Sequence, residues 1–326
     1  MNEYRYENMI YNRCGNSGLL LPIISLGLWH GFGDNYDYDN MINLCRVAFE
    51  NGITHFDLAN NYGPPYGRAE ENFGRILKDL FLGYRDELII STKAGYDMWA
   101  GPYGNWGSRK YLIASIDQSL KRLGLEYVDI FYHHRMDLET PLEETMLALY
   151  HIVNSGKALY VGLSNYDGIT MERACKILSS LNCPFIINQN RYSIFDRTIE
   201  NNGLKLKSKK LSKGIIAYSP LAQGLLTDKY IDDIPIDSRI KKDGRYLKDD
   251  VLTHNKLSQI SELNKLAKDR GETLAQMALR WVLRDEEVVS VLIGASKVEQ
   301  ILDNLKIINK SHITDKELAI IDNLSL

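Results

Sequence analysis

Eight times along the chain a short, unbroken apolar run ends in polar residues and gives way to a segment whose apolar positions recur at helical spacing. The runs cover 23–28, 53–56, 88–92, 127–133, 158–163, 185–188, 214–217 and 288–293. Strands that are apolar without alternation are buried on both faces, which marks a parallel sheet covered by helices. Eight such units in one domain, 1–326, fit an α/β fold of the (β/α)8 TIM-barrel type. A doubly wound sheet is the competing architecture. It advertises a Gly-rich first turn, and neither GxGxxG nor GxxxxGK[ST] follows any of these runs.

Additions to the barrel are legible too. Runs at 11–14 and 19–22 flank Gly15-Asn16-Ser17-Gly18 and read as an N-terminal β-hairpin. Residues 221–253 form a long polar insertion, one of the long loops on the C-terminal side of the barrel. Asp39 reads as the N-cap of the first helix with Gly52 as its stop, and Ser108 as the cap of a later one. Thr140 with Glu143, Thr273 with Gln276 and Ser296 with Glu299 have capping-box spacing, the first with Pro141 at N1.

Composition excludes several function classes. Lys and Arg number 39 against 42 Asp and Glu, a net charge of −3, and they are scattered rather than clustered. A nucleic-acid partner is therefore not expected. The four cysteines, Cys14, Cys45, Cys175 and Cys183, show no CxxC spacing, which argues against a metal site and a disulfide framework and for reduced thiols in the cytoplasm. The N-terminus lacks an apolar signal region, and no apolar run approaches the ~20 residues of a membrane helix, so neither secretion nor membrane insertion is expected.

In a TIM barrel the C-terminal strand ends converge on one face, where active sites are built. The polar residues at those ends are Asp57 with Tyr62, Lys93, His134, Ser164-Asn165, Gln189 and Tyr218-Ser219. A polar rim is ordinary, so each alone says little; Asp57 reads equally well as a structural loop carboxylate, and His134 as a satisfied rim histidine. Lys93 is sharper, because an ammonium ending a buried strand needs an anion, and Asp57 on the neighbouring strand is placed to supply it. Such a pair holds positive charge beside the Tyr62 hydroxyl and favours its phenolate, lowering a pKa that is ordinarily about 10. Tyr62 can then protonate a carbonyl oxygen as it becomes an alkoxide, with His134 donating a hydrogen bond to the same oxygen. No side chain supplies a hydride, so a nicotinamide cofactor is implied.

These residues lie in stretches that resemble the aldo-keto reductases: GITHFDLANNYG, AEENFGR, ISTKAGYDMWAGPYG, LKRLGLEYVDIFYHHR, GKALYVGLSN, AYSPLAQGLLTDKY and SVLIGASKVEQILDN. The resemblance spans essentially the whole chain. Asp57, Tyr62, Lys93 and His134 match the family's Asp-Tyr-Lys-His tetrad. Within the family the likeness is greatest to bacterial reductases of L-glyceraldehyde 3-phosphate, in the branch that also holds the β subunits of voltage-gated potassium channels.

The resemblance implies a cofactor map. Tyr218 would stack on the nicotinamide, its amide held by Ser164, Asn165 and Gln189, with Trp29 and Asp57 alongside. Ser219, Leu221, Gln223, Gly224, Lys229 and Arg239 would line the pyrophosphate. Gly294, Ser296, Gln300, Asp303 and Asn304 would hold the adenosine end and its 2′-phosphate. From the residues themselves, Ser296 also reads as a helix N-cap, and a helix N-terminus is an anion site as well. Lys297 favours NADPH over NADH, while Asp303 runs the other way.

For the substrate pocket the candidates are Trp29, Tyr62, Trp99, Tyr103 and Arg135. Trp99 and Tyr103 read equally as packing within their own loop. Arg135 either binds a phosphate on a short aldehyde or pairs with Asp97 or Asp137. Asn60 and Asn61 have no role beyond shaping the loop that presents Tyr62.

The expectation is thus NADPH-dependent reduction of a short aldehyde, L-glyceraldehyde 3-phosphate or methylglyoxal, by a cytoplasmic homo-oligomer. Two alternatives stand beside it: a reductase of aryl or hydroxy-aldehydes, and a regulatory NADP-binding subunit that docks on a partner protein. His134 argues against the last, since the channel-associated relatives carry Asn at the matching position.

Overall fold

A computed structural model describes residues 1–227, 252–309 and 311–325. Ten strands are present among them: β1 (Tyr11–Arg13), β2 (Leu20–Pro22), β3 (Ile24–Gly27), β4 (His55–Asp57), β5 (Ile89–Ala94), β6 (Val128–His133), β7 (Ala158–Ser164), β8 (Phe185–Arg191), β9 (Gly214–Tyr218) and β10 (Val288–Ile293). β1 and β2 pair antiparallel, and β3 to β10 close into a parallel barrel in chain order, with β10 returning to β3. The (β/α)8 expectation holds, hairpin included.

The helices are α1 (Tyr38–Glu50), α2 (Arg68–Asp79), α3 (Arg109–Leu123), α4 (Leu142–Asn154), α5 (Gly168–Ser180), α6 (Thr198–Asn201), α7 (Leu204–Lys210), α8 (His254–Asp269), α9 (Leu274–Val282), α10 (Val298–Leu305) and α11 (Asp315–Ser325). α3 shows how the local code works. Ser108 caps it by accepting from Tyr111 N, and it ends at Gly124, whose φ of 67° is left-handed. Its buried stripe includes Leu112, Ile116, Leu120 and Leu123.

Several local expectations are corrected. The cap of α1 is Asp37, whose carboxylate accepts from Asn40 N at 3.1 Å; Asp39 lies in the first turn. At α4 there is no capping box: Pro141 is the N-cap position and makes no side-chain cap bond. Asp137 instead takes the nearby backbone N–H groups of Glu139 and Thr140. Thr273 and Gln276 do form the reciprocal box of α9. Ser296 is not a cap; α10 starts after Lys297, and the side chain of Gln300 folds back to accept from both Ser296 N and Lys297 N. The segment after β8 is two short helices, broken where Gly203 turns left-handed at φ 77°. α8 is a helix that the apolar runs do not mark; Thr253 caps it, and Ile260, Leu263 and Ala267 carry its buried stripe.

Strand alternation sorts the barrel's two faces. On β4, Phe56 faces outward and packs against Phe73 of α2 at 5.3 Å, while His55 and Asp57 bond inward to Ser25 and Lys93. Ile130, Tyr132, Ile187, Ile216 and Leu292 form an apolar interior cluster joined by Cys14 and Leu21 of the hairpin region. The hairpin lies across the N-terminal strand ends: Asn12 Nδ2 donates to Val289 O and Asn16 N to Ser212 O. The opposite end is left to the polar residues. None of the described helices is long and apolar enough to cross a membrane.

Candidate active site

Asp57 closes β4 and is in register with Ser91 of β5, two residues before Lys93. That register brings Lys93 Nζ to 2.5 Å from Asp57 Oδ2, and Leu58 O accepts a second bond from the same ammonium. Asp57 Oδ1 accepts from Ser91 Oγ at 2.6 Å and from Gln189 Nε2 at 3.1 Å. The carboxylate therefore has donors on both oxygens, which a fully buried ion pair needs to stay ionised. Burial pushes the Lys93 ammonium down from the ordinary lysine range, and the Asp57 charge opposes that shift.

Tyr62 lies over this pair. Its ring centroid is 5.1 Å from Lys93 Nζ and 6.1 Å from the Trp29 and His134 rings. The loop that carries it is fixed by Asn60, whose backbone N donates to Lys93 O and whose amide donates to Tyr111 Oη at 3.0 Å and Ser115 Oγ at 3.3 Å on α3. Asn60 thus has a firmer role than its sequence suggested. Burial, reinforced by the charges of Lys93, His133 and Arg135, holds His134 well below the usual histidine pKa, so its imidazole is neutral. Its Nδ1 is buried without a hydrogen-bond partner among the described residues. The four tetrad residues are brought together at one strand-end cluster.

The residues beyond β7 to β9 join the same cluster. Asn165, at a left-handed φ of 59°, donates from Nδ2 to His134 O at 2.9 Å and accepts at Oδ1 from Tyr218 Oη at 2.8 Å. Its Nδ2 also reaches Ser164 Oγ. Ser219, Ala222 and Gln223 all have positive φ, and the buried Gln223 Oε1 has no partner among the described residues. A partly buried tyrosine ring, a positioned amide, successive left-handed residues and an orphaned acceptor fit a bound dinucleotide. Leu221 half-packs into the core beside them. Lys229 and Arg239 lie outside the described residues.

At the far end of the proposed map, a Cβ added at Gly294 would meet open space. Asp303 accepts from Gln276 Nε2 at 3.0 Å and from Lys306 Nζ at 3.1 Å, tying α9 to α10, and Asn304 is buried. Gln300 Oε1 is engaged at the start of α10, as described above. Asn40 of α1 reaches the same place, its Nδ2 donating to Ser296 O.

The pocket candidates divide. Trp29 sits by Tyr62. Trp99 packs on Tyr111 at 5.1 Å, and with the exposed Tyr103 it lines a groove of about 900 Å³ between the long third loop and α3. Arg135 bonds to Gly95 O at 2.9 Å and Asn105 Oδ1 at 2.6 Å, between the rings of Tyr96 at 4.3 Å and Trp106 at 3.5 Å. Neither expected acidic partner holds it: Asp97 accepts from Asn105 Nδ2, and Asp137 from Gly107 N. Residues missed from the sequence are Ser91 and Tyr96, the latter edge-on to His134 at 4.7 Å. Ser91 was legible by alternation, two before Lys93; Tyr96 follows the strand end in the same motif.

A family model described as Aldo/keto reductase family matches residues 23–326. L-glyceraldehyde 3-phosphate reductase of Escherichia coli K12 is 54% identical over 324 residues, 98% of this chain and 94% of that protein. A probable voltage-gated potassium channel subunit beta of Oryza sativa subsp. japonica is 35% identical over 305 residues, 91% of this chain and 90% of that one. Among solved structures, that of a thermostable aldo-keto reductase, Tm1743, in complex with the inhibitor epalrestat is similar with a TM-score of 0.75 and 30% identity, over 97% of this chain and all of that one.

Proposed function

The chain belongs to the aldo/keto reductase family, and on that premise we propose that it reduces short aldehydes to alcohols with NADPH, with L-glyceraldehyde 3-phosphate and methylglyoxal as leading substrates. The observation that carries the reading is the buried Lys93–Asp57 pair beneath the Tyr62 ring, 5.1 Å from its centroid. The relative that acts, by its name, on L-glyceraldehyde 3-phosphate supports the substrate class, being 54% identical over nearly the whole chain.

A bound nicotinamide supplies the hydride. The side chains supply the rest. Lys93, kept charged by Asp57, favours the phenolate of Tyr62 and makes the phenol a better acid toward a carbonyl oxygen that is gaining charge. Neutral His134 donates to the same oxygen and orients the aldehyde. Tyr218, Asn165, Ser164, Gln189 and Trp29 would hold the nicotinamide end. Ser219, Leu221, Gln223, Gly224, Lys229 and Arg239 would hold the pyrophosphate, and Gly294, Ser296, Gln300, Asp303 and Asn304 the adenosine end. The protein works in the cytoplasm as a homo-oligomer in this reading.

Tyr62→Phe tests it. The variant is expected to lose most aldehyde reduction, by roughly 10²–10⁴-fold as for a deleted general acid, while binding NADPH as the wild type does by fluorescence titration. Near wild-type turnover would overturn the assignment. Background oxidation of NADPH with every aldehyde tried, despite bound cofactor, would favour a regulatory binding subunit.

A further inference from the structure

Inside the barrel, one layer below the tetrad, lies another buried histidine. His55 Nδ1 is 2.9 Å from Ser25 Oγ on β3, and His55 Nε2 is 2.9 Å from Ser91 Oγ on β5. Ser25 Oγ is in turn 2.7 Å from Ser290 Oγ on β10, and Ser91 Oγ donates to Asp57 Oδ1. All these side chains are buried. Polar groups here replace the aliphatic side chains that fill the opposite side of the barrel interior, and burying them is unfavourable unless each is bonded.

Counting protons gives the chain a direction. A hydroxyl has one hydrogen, and that of Ser91 goes to the carboxylate. Ser91 Oγ must therefore accept from His55, so Nε2 carries the imidazole proton. Burial lowers the His55 pKa to about 4, so the ring is neutral and Nδ1 is an acceptor. Ser25 then donates to Nδ1 and Ser290 to Ser25. Every O–H and N–H dipole from Ser290 onward points toward Asp57, the arrangement in which successive hydrogen bonds strengthen one another.

We propose that His55 is a positioning residue: as the neutral Nε2–H tautomer it orients Ser91 and, through Ser91, keeps Asp57 ionised as the partner of Lys93. The proposal rests on the reading of Tyr62 as the acid tuned by Lys93. In a dry site the ion pair competes with its neutral form, acid beside amine, and a donor on the carboxylate favours the ions. Other charged and titratable groups face this pair. Tyr132 of β6 feels the Asp57 charge, Glu70 of α2 raises the pKa of Lys93, and His134 beyond β6 feels the Lys93 charge. None of them donates a hydrogen bond to Asp57 Oδ1; Ser91 and Gln189 do.

His55→Leu and Ser91→Ala, alone and combined, test the relay, with His55→Gln as the conservative variant whose amide offers one donor and one acceptor. Weakening the ion pair makes Tyr62 less acidic. Both breaking variants should therefore lower kcat about tenfold with KM within about twofold, and move the basic limb of kcat against pH upward by about one unit, the scale of one lost hydrogen bond to a charged group. The double variant should be no worse than Ser91→Ala, because both cut one chain, and His55→Gln should restore the wild-type limb. Histidine-selective ¹⁵N spectra of the ligand-free protein, with His55→Gln assigning the signal, should show a neutral Nε2–H ring. An Nδ1–H or cationic His55, additive effects, or an unmoved limb would overturn the proposal. If His55→Leu does not fold, Ser91→Ala and the tautomer decide it. Tyr62→Phe assayed in parallel separates the two failures: if it stays active, the proton-donor reading fails; if it is inactive and the limb is unmoved, the relay alone fails.

Discussion

Lys93 Nζ lies 2.5 Å from Asp57 Oδ2, and both side chains are closed off from solvent. Removing one partner of such a pair leaves the other buried and uncompensated, at a cost of about 3–5 kcal/mol. Lys93→Met should therefore lose that much stability and also most of its reductase activity. Combining it with Asp57→Asn removes the stranded charge. The double variant should regain much of the urea midpoint while staying inactive. Recovery of activity in the double variant would mean that the ammonium does not tune Tyr62.

Acid should destabilise the protein through its buried histidines. Burial holds His55 and His133 at a pKa of about 4, and His134 lower still, against about 6.5 in an unfolded chain. The unfolded state therefore binds more protons in this range, and stability rises with pH. Their full contribution is present above pH 6.5 and is lost as pH falls toward 4, about 3 kcal/mol each for His55 and His133. Urea unfolding followed from pH 7 down to 4.5 should show a steadily falling midpoint. His55→Gln should flatten the fall, and an unchanged slope would remove His55 from the account.

Gly162 of β7 makes a purely steric prediction. A Cβ there would come within 2.2 Å of Cδ1 and Cε1 of Tyr132, whose ring is fully buried in the barrel. The ring is closed off from solvent and shares the interior with Lys93, whose Nζ is 5.7 Å from its centroid. Gly162→Ala should cost about 1–3 kcal/mol by overpacking, seen as a lower urea midpoint at unchanged slope, together with reduced turnover.

Much of this was legible in the sequence because the fold repeats one signal. Unbroken apolar runs located the eight strands, and in a TIM barrel that alone puts Asp57, Lys93 and His134 on one face. What the sequence hid depends on competition between equivalent groups. Two acids near the start of α1, and a hydroxyl and an amide near the start of α10, could each cap, and Asp37 and Gln300 do so in place of Asp39 and Ser296. Arg135 had two acids within reach along the chain, yet stacking on Trp106 and the carbonyl of Gly95 hold it instead. His55 looked like one more buried strand position, since only the barrel's closure brings Ser25 and Ser91 to either side of its ring.

Asn165 offers the sharpest test of how the cofactor end is organised. Its one amide spans the rim, donating to His134 O and accepting from Tyr218 Oη, from a left-handed backbone position with φ 59°. Asn165→Ala deletes these bonds and the one to Ser164 Oγ, and keeps a Cβ where asparagine is among the few residues at ease. Tyr218 would lose the acceptor that fixes its ring, and His134 the donor on its carbonyl. NADPH should bind about tenfold more weakly, the scale of one or two neutral hydrogen bonds, with a smaller change in kcat. Asn165→Asp keeps an acceptor for Tyr218 but loses the donor to His134 O and Ser164 Oγ and sets a carboxylate oxygen against that carbonyl. If ring placement by Tyr218 is what matters, Asp should bind NADPH better than Ala; equal or greater weakening in Asp would instead assign the effect to the lost amide donor and the added charge. Fluorescence titration of the three proteins with NADPH separates these outcomes without reference to turnover.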